Sequence, residues 1–333
     1  MKNVPRFIWT IFRATVGVGL LVYLGLSGAI KWSALLGLAS AWRITLLAII
    51  ILWVDMVITA WRLCVLISPR GFHLTLESSL RLTFIGLFFN LFLPGSAGGD
   101  VMKIFYASHG NRGRRTEVAT ILLLDRAIGM FALLVWPLIV IPFFPGLIRS
   151  MPALSKLLVM AAIIAVGMLL GVFICFSTRL RNSRILNWIN QKRFGSYLKQ
   201  TFDTVHAYRE DIGTLWAAFG ISMLAHTLTV FVTLLGSWAI ISGSIAWKTI
   251  VLIPLGMLVN SLPLTPGGLG VGEAAFDVLF KGAGLTGGAE TLLAWRLLML
   301  LISLVGLVFY LQGRRQVVYA SEATSTVSAQ SQF

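Results

Sequence analysis

Six stretches of this chain are too long and too apolar to belong to a soluble fold. Residues 14–30, 157–176 and 212–241 contain no Asp, Glu, Lys or Arg, and residues 44–67, 118–144 and 291–311 contain one or two each. A bilayer crossing needs roughly 20 such residues. Hydrocarbon offers no partner for backbone N–H and C=O groups, so each stretch must close its own hydrogen bonds as a helix. Composition agrees: charged residues make up 12% of the chain, against about 25% in ordinary soluble domains. The charges are also one-sided, 27 Lys plus Arg against 12 Asp plus Glu. Apolar bulk with basic edges predicts an all-α polytopic membrane protein and excludes a soluble nucleic-acid binder.

The N-terminal stretch, with Lys2, Arg6 and Arg13 before it and Ser27-Gly28-Ala29 near its end, has the outline of a signal peptide. Because further spans follow, it reads as a first transmembrane helix that stays attached. Cys64 and Cys175 lie alone in apolar segments, and His73, His109, His206 and His226 are far apart. Neither a metal site nor a cofactor is expected.

Two shorter apolar segments, 76–93 and 249–264, run into sequence that no continuous transmembrane helix tolerates. The first continues as Asn90-Leu-Phe-Leu-Pro94-Gly95-Ser96-Ala97-Gly98-Gly99-Asp100, the second as Asn260-Ser-Leu-Pro263-Leu-Thr265-Pro266-Gly267-Gly268-Leu-Gly270-Val-Gly272-Glu273. Each has an Asn, then Pro, then a Gly cluster, then a carboxylate. Each is followed by an Arg inside an apolar helix, Arg126 after Asp100 and Arg296 after Glu273. The shared plan predicts an internal repeat. The Gly268-Leu-Gly270-Val-Gly272 run lacks the βαβ surroundings of a dinucleotide site.

The positive-inside rule sets the topology. If both Gly/Pro segments are hairpins that return to their own side, nineteen of the 27 Lys and Arg residues fall on one face, Arg62, Arg70 and Arg81 among them, and five on the other. A full crossing at the first segment would put the basic 103–115 stretch on the wrong face. The expected fold is therefore about six crossings plus two opposed re-entrant hairpins in an inverted repeat, with both termini cytoplasmic. Residues 1–150 form the first repeat, with its hairpin near 76–103. Residues 151–312 form the second, with an amphipathic cytoplasmic segment at 179–211 and a hairpin near 249–281. Within that segment Leu198, Phe202 and Val205 share a helical face that suits either an anionic lipid surface or the protein itself. Residues 313–333 are expected to be a disordered tail.

An ionisable side chain at membrane depth costs several kcal/mol unless paired or hydrated, so each is a candidate for function. Asp100, Asp125, Arg126, Glu273 and Arg296 qualify. Asp100 with Arg126 and Glu273 with Arg296 either form buried pairs that fix how hairpin and helix pack, or separate so that the arginine binds a phosphate bidentately. Asn90, Asn260 and Thr265 complete the candidate substrate-binding set. Pro94, Gly98, Gly99, Pro263, Pro266, Gly267, Gly268 and Gly270 form the hairpin backbone, where a helix start would aim free N–H groups at an anion. Asp55, with Arg62 two turns on along the same helix face, reads either as a proton-relay acid or as one partner of a buried pair. His226 reads as a hydrogen-bonded core histidine, and Gly167 and Gly171 as a GxxxG helix contact.

The strings 93–100, Leu124-Asp125-Arg126 and 263–273 closely resemble the lysylphosphatidylglycerol synthase transmembrane family, a flippase-like family with stand-alone inner-membrane members. The resemblance covers about residues 7–312. It implies movement of a lipid between leaflets of a bacterial inner membrane, with a phospholipid or lipid-linked headgroup as substrate. The chain ends about twenty residues after its last span, leaving no room for the aminoacyl-transfer domain of the best-studied relatives, so no enzyme is expected. Gly272 departs from the Arg that the family often carries there. The leading reading is a lipid translocase in which Arg126 and Arg296 bind phosphate while Asp100 and Glu273 exchange between arginine and substrate. The competing readings are a membrane enzyme, or an accessory or scaffold protein, of envelope lipid synthesis.

Overall fold

The structure, a computed structural model, describes residues 32–90, 97–108, 113–178, 195–240, 247–262, 268, 270–312 and 319–320. The expected first crossing at 14–30, both Gly/Pro tips with Pro94, Pro263, Thr265, Pro266 and Gly267, the 179–194 part of the connector, and residues 321–333 lie outside the described residues.

The described chain is helical apart from one short ladder. In order come α1 (Trp32–Ser40), α2 (Trp42–Ile67), α3 (Leu76–Asn90), α4 (Ala97–Ala107), α5 (Arg115–Val140), α6 (Pro145–Ser150), α7 (Pro152–Phe176), α8 (Gly195–Ala207), α9 (Ile212–Ile240), α10 (Thr249–Asn260), α11 (Val271–Gly282) and α12 (Gly288–Leu311). The apolar runs at 44–67, 118–144, 157–176, 212–241 and 291–311 thus lie in α2, α5, α7, α9 and α12. Each of these helices, two of them with a short 3₁₀ extension, is long and apolar enough to cross a membrane. The turn out of α2 is chemically explicit: Pro69 cannot extend the helical bonding, and Gly71 takes φ 68° while its N–H returns to Ser68 O. Beyond it, Phe72–His73 (β1) pairs antiparallel with Tyr319–Ala320 (β2).

Two helix pairs, α3 with α4 and α10 with α11, pack at opposite ends of the long helices. Phe88, Phe89 and Tyr106 of the first pair join Val118 and Ile121 at the start of α5 and Tyr310 at the end of α12. Leu252 and Phe276 of the second pair join Trp136 near the end of α5 and Leu292 at the start of α12. The packing partners correspond: α3 lies along α12 as α10 lies along α5, and α2 and α9 face each other across the largest helix interface among the described residues. A third cluster, with Leu52 and Met56 from α2, Val232 from α9 and Leu298 from α12, lies between the other two.

Close approach of backbones fixes these contacts. A Cβ on Gly306 of α12 would overlap Phe84 O of α3, and one on Gly256 would overlap the Phe276 ring. By contrast, Gly167 and Gly171 of α7 have nothing within 4 Å of where a Cβ would stand. The expected GxxxG contact therefore corresponds to open space among the described residues. Most of α7 is exposed, with Ile163 and Phe173 at 66% and 75%, the surface that lipid covers in such a helix.

Helix α8 packs on α5 and α7 through its polar side. Thr120 Oγ1 donates to Thr201 Oγ1 at 3.3 Å, and His206 Nδ1 lies 2.8 Å from Cys175 O. Just beyond α8, buried Tyr208 donates to Leu66 O at 2.6 Å, and burial pushes its phenol above the ordinary range, which keeps the hydroxyl a donor. The expected apolar face is split: Leu198 is exposed, while Phe202 and Val205 are half-buried. A Gly306→Leu substitution should lower the melting temperature of the detergent-purified chain by the equivalent of about 2 kcal/mol, whereas Gly167→Leu should leave it unchanged; fluorescence-detected thermal unfolding checks both.

Candidate functional site

At the first Gly/Pro segment, α3 ends in Asn90 and α4 begins at Ala97, so the amide N–H groups of the first turn of α4 lack helical partners. Asn90 supplies one: its Oδ1 accepts the Gly99 N–H at 2.7 Å. Only glycine fits there, because a Cβ on Gly99 would overlap both Gly86 O and Asn90 Oδ1. Gly98 is buried beside it. One residue on, Asp100 receives Arg126 Nη1 of α5 in an ion pair.

The second segment repeats this with a different wiring. Asn260 ends α10, and its Oδ1 accepts from Arg296 Nη2 of α12 at 2.8 Å. The same Nη2 donates to Gly268 O at 2.8 Å. Gly268 has φ 71°, which allows its carbonyl to turn inward. Glu273, in the first turn of α11, accepts the Gly270 N–H at 2.8 Å and pairs with Arg296, whose Nε lies 2.9 Å from Oε1 and whose Nη2 donates to Oε2 at 3.3 Å. Gly272 is forced to be glycine, since a Cβ would meet Asn260 Oδ1, Leu292 and Arg296. No larger side chain has space in this arrangement.

Asn90, Gly98, Gly99, Asp100 and Arg126 therefore converge, as do Asn260, Gly268, Gly270, Glu273 and Arg296. Asp125 does not join its neighbour Arg126. Successive residues on a helix differ by about 100°, and Asp125 instead accepts Arg62 of α2 through two bonds, Nε to Oδ1 at 2.7 Å and Nη2 to Oδ2 at 2.9 Å. Arg62 Nη1 donates to Ser222 Oγ of α9 at 2.8 Å. Both charged side chains are 9% exposed. Arg62, counted above as a surface charge that orients the chain, is buried, and it turns to Asp125 rather than to Asp55 on its own helix face.

Charge-bearing residues that the motifs did not single out meet at the start of α5. Glu117 accepts Arg114 Nε at 2.7 Å and faces Arg70 at 3.4 Å, and the Arg114 guanidinium lies 4.0 Å over the Phe72 ring. They border a polar cavity of about 700 Å³ shared with Asp203, His206 and Arg209. Also outside the motifs is a polar stripe on α9. Ser222, His226, Thr229 and Ser237 bond respectively to Arg62, Gly129 O, Asp55 and Thr291, so one face of an otherwise apolar helix ties α2, α5 and α12 together. Among the described residues, no group of three or more His, Cys, Asp or Glu could hold a metal ion.

A model of the family described as the lysylphosphatidylglycerol synthase TM region matches residues 10–307. The chain belongs to this family. No curated protein and no solved structure matches it. The match spans both Asn–Gly–carboxylate–Arg constellations and the Arg62–Asp125 pair, so all three are built within the family's own region.

Removing one partner of a buried pair leaves an uncompensated charge, at about 3–5 kcal/mol, while removing both is far milder. Arg62→Ala should therefore cut the yield of folded protein severely. The double Arg62→Ala, Asp125→Ala variant should recover much of it, as read by size-exclusion chromatography in detergent.

Proposed function

We propose that this chain is a lipid translocase that carries a phospholipid or lipid-linked headgroup between the leaflets of a bacterial inner membrane, with both termini cytoplasmic. The observation that carries this reading is the pairing of two Gly-rich helix starts, at opposite ends of the bundle, each with a carboxylate–arginine pair beside it. Backbone that leaves the helical path at membrane depth requires a protein or water-lined surrounding. Opposed broken elements that meet inside a bundle are the plan of inverted-repeat transporters. On this reading α3/α4 and α10/α11 are the two re-entrant hairpins, and residues 1–150 and 151–312 are the two repeats.

The chemistry suits a phosphate. An arginine offers a planar fork of donors to two phosphate oxygens, and a helix start adds N–H groups and the positive end of its dipole. The headgroup displaces Asp100 from Arg126 at one end and Glu273 from Arg296 at the other, so the guanidinium exchanges one anion for another. Arg126 is the more exposed of the two, with 26% of its side chain exposed against 13% for Arg296; the Nη2 of Arg296 also donates to Asn260 and Gly268. Exposed Tyr197 and Leu198 on α8 suit contact with an anionic lipid surface. Lipid leaves chemically unchanged on this reading, and neither cofactor nor metal takes part.

Reconstitution into liposomes with fluorescent headgroup-accessible phosphatidylglycerol tests this directly. The parent should accelerate inward movement of the probe. Arg126→Ala should slow it at least about tenfold, the equivalent of about 1.4 kcal/mol, and Glu273→Gln by less, at equal amounts of folded protein. Equal rates in parent and Arg126→Ala would overturn the site, and modified lipid in the products would overturn the translocase reading.

A further inference from the structure

Among the described carboxylates buried within the long helices, Asp55 stands apart. It lies in the middle of α2 and is 3% exposed. Its Oδ2 accepts a hydrogen bond from Thr229 Oγ1 of α9 at 3.2 Å. Its Oδ1 is enclosed and has no hydrogen-bond partner among the described residues. Asp125, Asp100 and Glu273 each face a guanidinium. Among the described residues, Asp55 has none within ion-pair distance.

Among the described residues, the neighbouring helices carry the following charged groups. On α2 itself, Arg62 is the charged group that acts on Asp55, and its guanidinium is bound by Asp125 and Ser222. On α5, Asp125 is held by Arg62 and Arg126 by Asp100. Helix α3 carries Glu77 and Arg81, which pair with each other, Glu77 well exposed and Arg81 over the Phe309 ring of α12. From α12 come Arg296, held by Glu273, and Glu290 in its first turn. Helix α9 presents His226, which sits one turn from Thr229 and bonds through Nε2 to Gly129 O. Since a carbonyl only accepts, that nitrogen carries a hydrogen.

An ionised carboxylate in this position keeps one oxygen unsolvated and unpaired, which the surroundings disfavour strongly. A proton removes the charge without any movement of the helices. A metal cation needs several oxygen ligands, and Asp55 has one hydroxyl beside it. We propose that Asp55 is a proton-binding site whose occupancy controls the α2–α9 seam, and that proton uptake and release there are coupled to substrate movement. The coupling half of the proposal rests on the translocase reading; the proton site does not.

The seam gives the proton its leverage. Among the described residues helices α2 and α9 make the largest helix interface, and one of those that join the two sets of corresponding helices. With Asp55 neutral, Thr229 bridges a dry seam. With Asp55 ionised, the carboxylate requires water, and the seam must part to admit it. A two-state contact biased by one protonation event is a standard form of molecular switch.

The test uses the full chain in liposomes of phosphatidylethanolamine and phosphatidylglycerol, with two readouts. Infrared difference spectroscopy between about pH 5 and about pH 9, a window that spans the ordinary and raised carboxyl ranges, should show the carbonyl band of a protonated carboxylic acid appear at the acid end. Asp55→Asn should abolish that band, and Thr229→Val, which keeps the acid, should retain it at a shifted midpoint. Movement of fluorescent phosphatidylglycerol under an imposed gradient of about one pH unit should change up to about tenfold in rate between the two gradient directions, and this dependence should vanish in Asp55→Asn. A titrating band that survives in Asp55→Asn, or no such band in the parent, overturns the proton site. Probe movement in the parent that ignores the gradient overturns the coupling. A band that behaves as expected in a parent that moves no probe supports the proton site and overturns the translocase reading instead.

Discussion

An arginine inside an apolar helix has to be met by an anion, and three such arginines organise this protein. Hydrocarbon cannot solvate a guanidinium, and even the mildest insertion scales put its cost near 2.5–3.5 kcal/mol. Arg62, Arg126 and Arg296 lie on three different long helices, and each meets a carboxylate on another element. Two of those carboxylates, Asp100 and Glu273, stand in the first turns of the short helices α4 and α11. The pairs therefore determine where the short helices dock, at opposite ends of α5 and α12, and the glycines follow as a consequence. Gly99 and Gly272 permit an Asn side chain to come close enough to reach a helix start or its arginine.

The two constellations correspond without being equivalent. Asn90 caps a helix start, whereas Asn260 holds an arginine. Glu273 serves two partners at once, the Gly270 N–H and Arg296. Arg296 is held by a carboxylate, an amide oxygen and a backbone carbonyl, wiring that residue types alone do not reveal. The Arg62–Asp125–Ser222 cluster and the polar stripe on α9 form a third, fully internal element that joins the two ends.

Much of this was legible in the residues. The long apolar runs become helices because nothing else is possible at that length in lipid, and the described spans agree with them. The carboxylate–arginine pairs were legible as candidates because an intramembrane charge always needs a partner. The pairings Asp100 with Arg126 and Glu273 with Arg296 were legible too; the partner of Arg62 was not. Arg62 lies near the end of its apolar run and reads equally as an orientation charge, and its choice of Asp125 over Asp55 depends on how α2 and α5 face each other, which helical spacing within α2 does not encode. The α9 stripe escaped notice because Ser and Thr hardly dent hydropathy and can satisfy themselves within their own helix. Gly167 and Gly171 show the reverse: a spacing that fits a helix contact yet meets nothing among the described residues.

The account depends on the two short helix pairs belonging to opposite sides of the membrane. Glu77 at the base of α3 and Lys281 at the end of α11 are well exposed, at 77% and 68% of the side chain, and single cysteines there, with Cys64 and Cys175 replaced by serine, can be labelled with a membrane-impermeant thiol reagent in vesicles of each orientation. Opposed helix pairs predict that Glu77→Cys is labelled only from the cytoplasmic side and Lys281→Cys only from the other. Labelling of both from the same side would contradict the account.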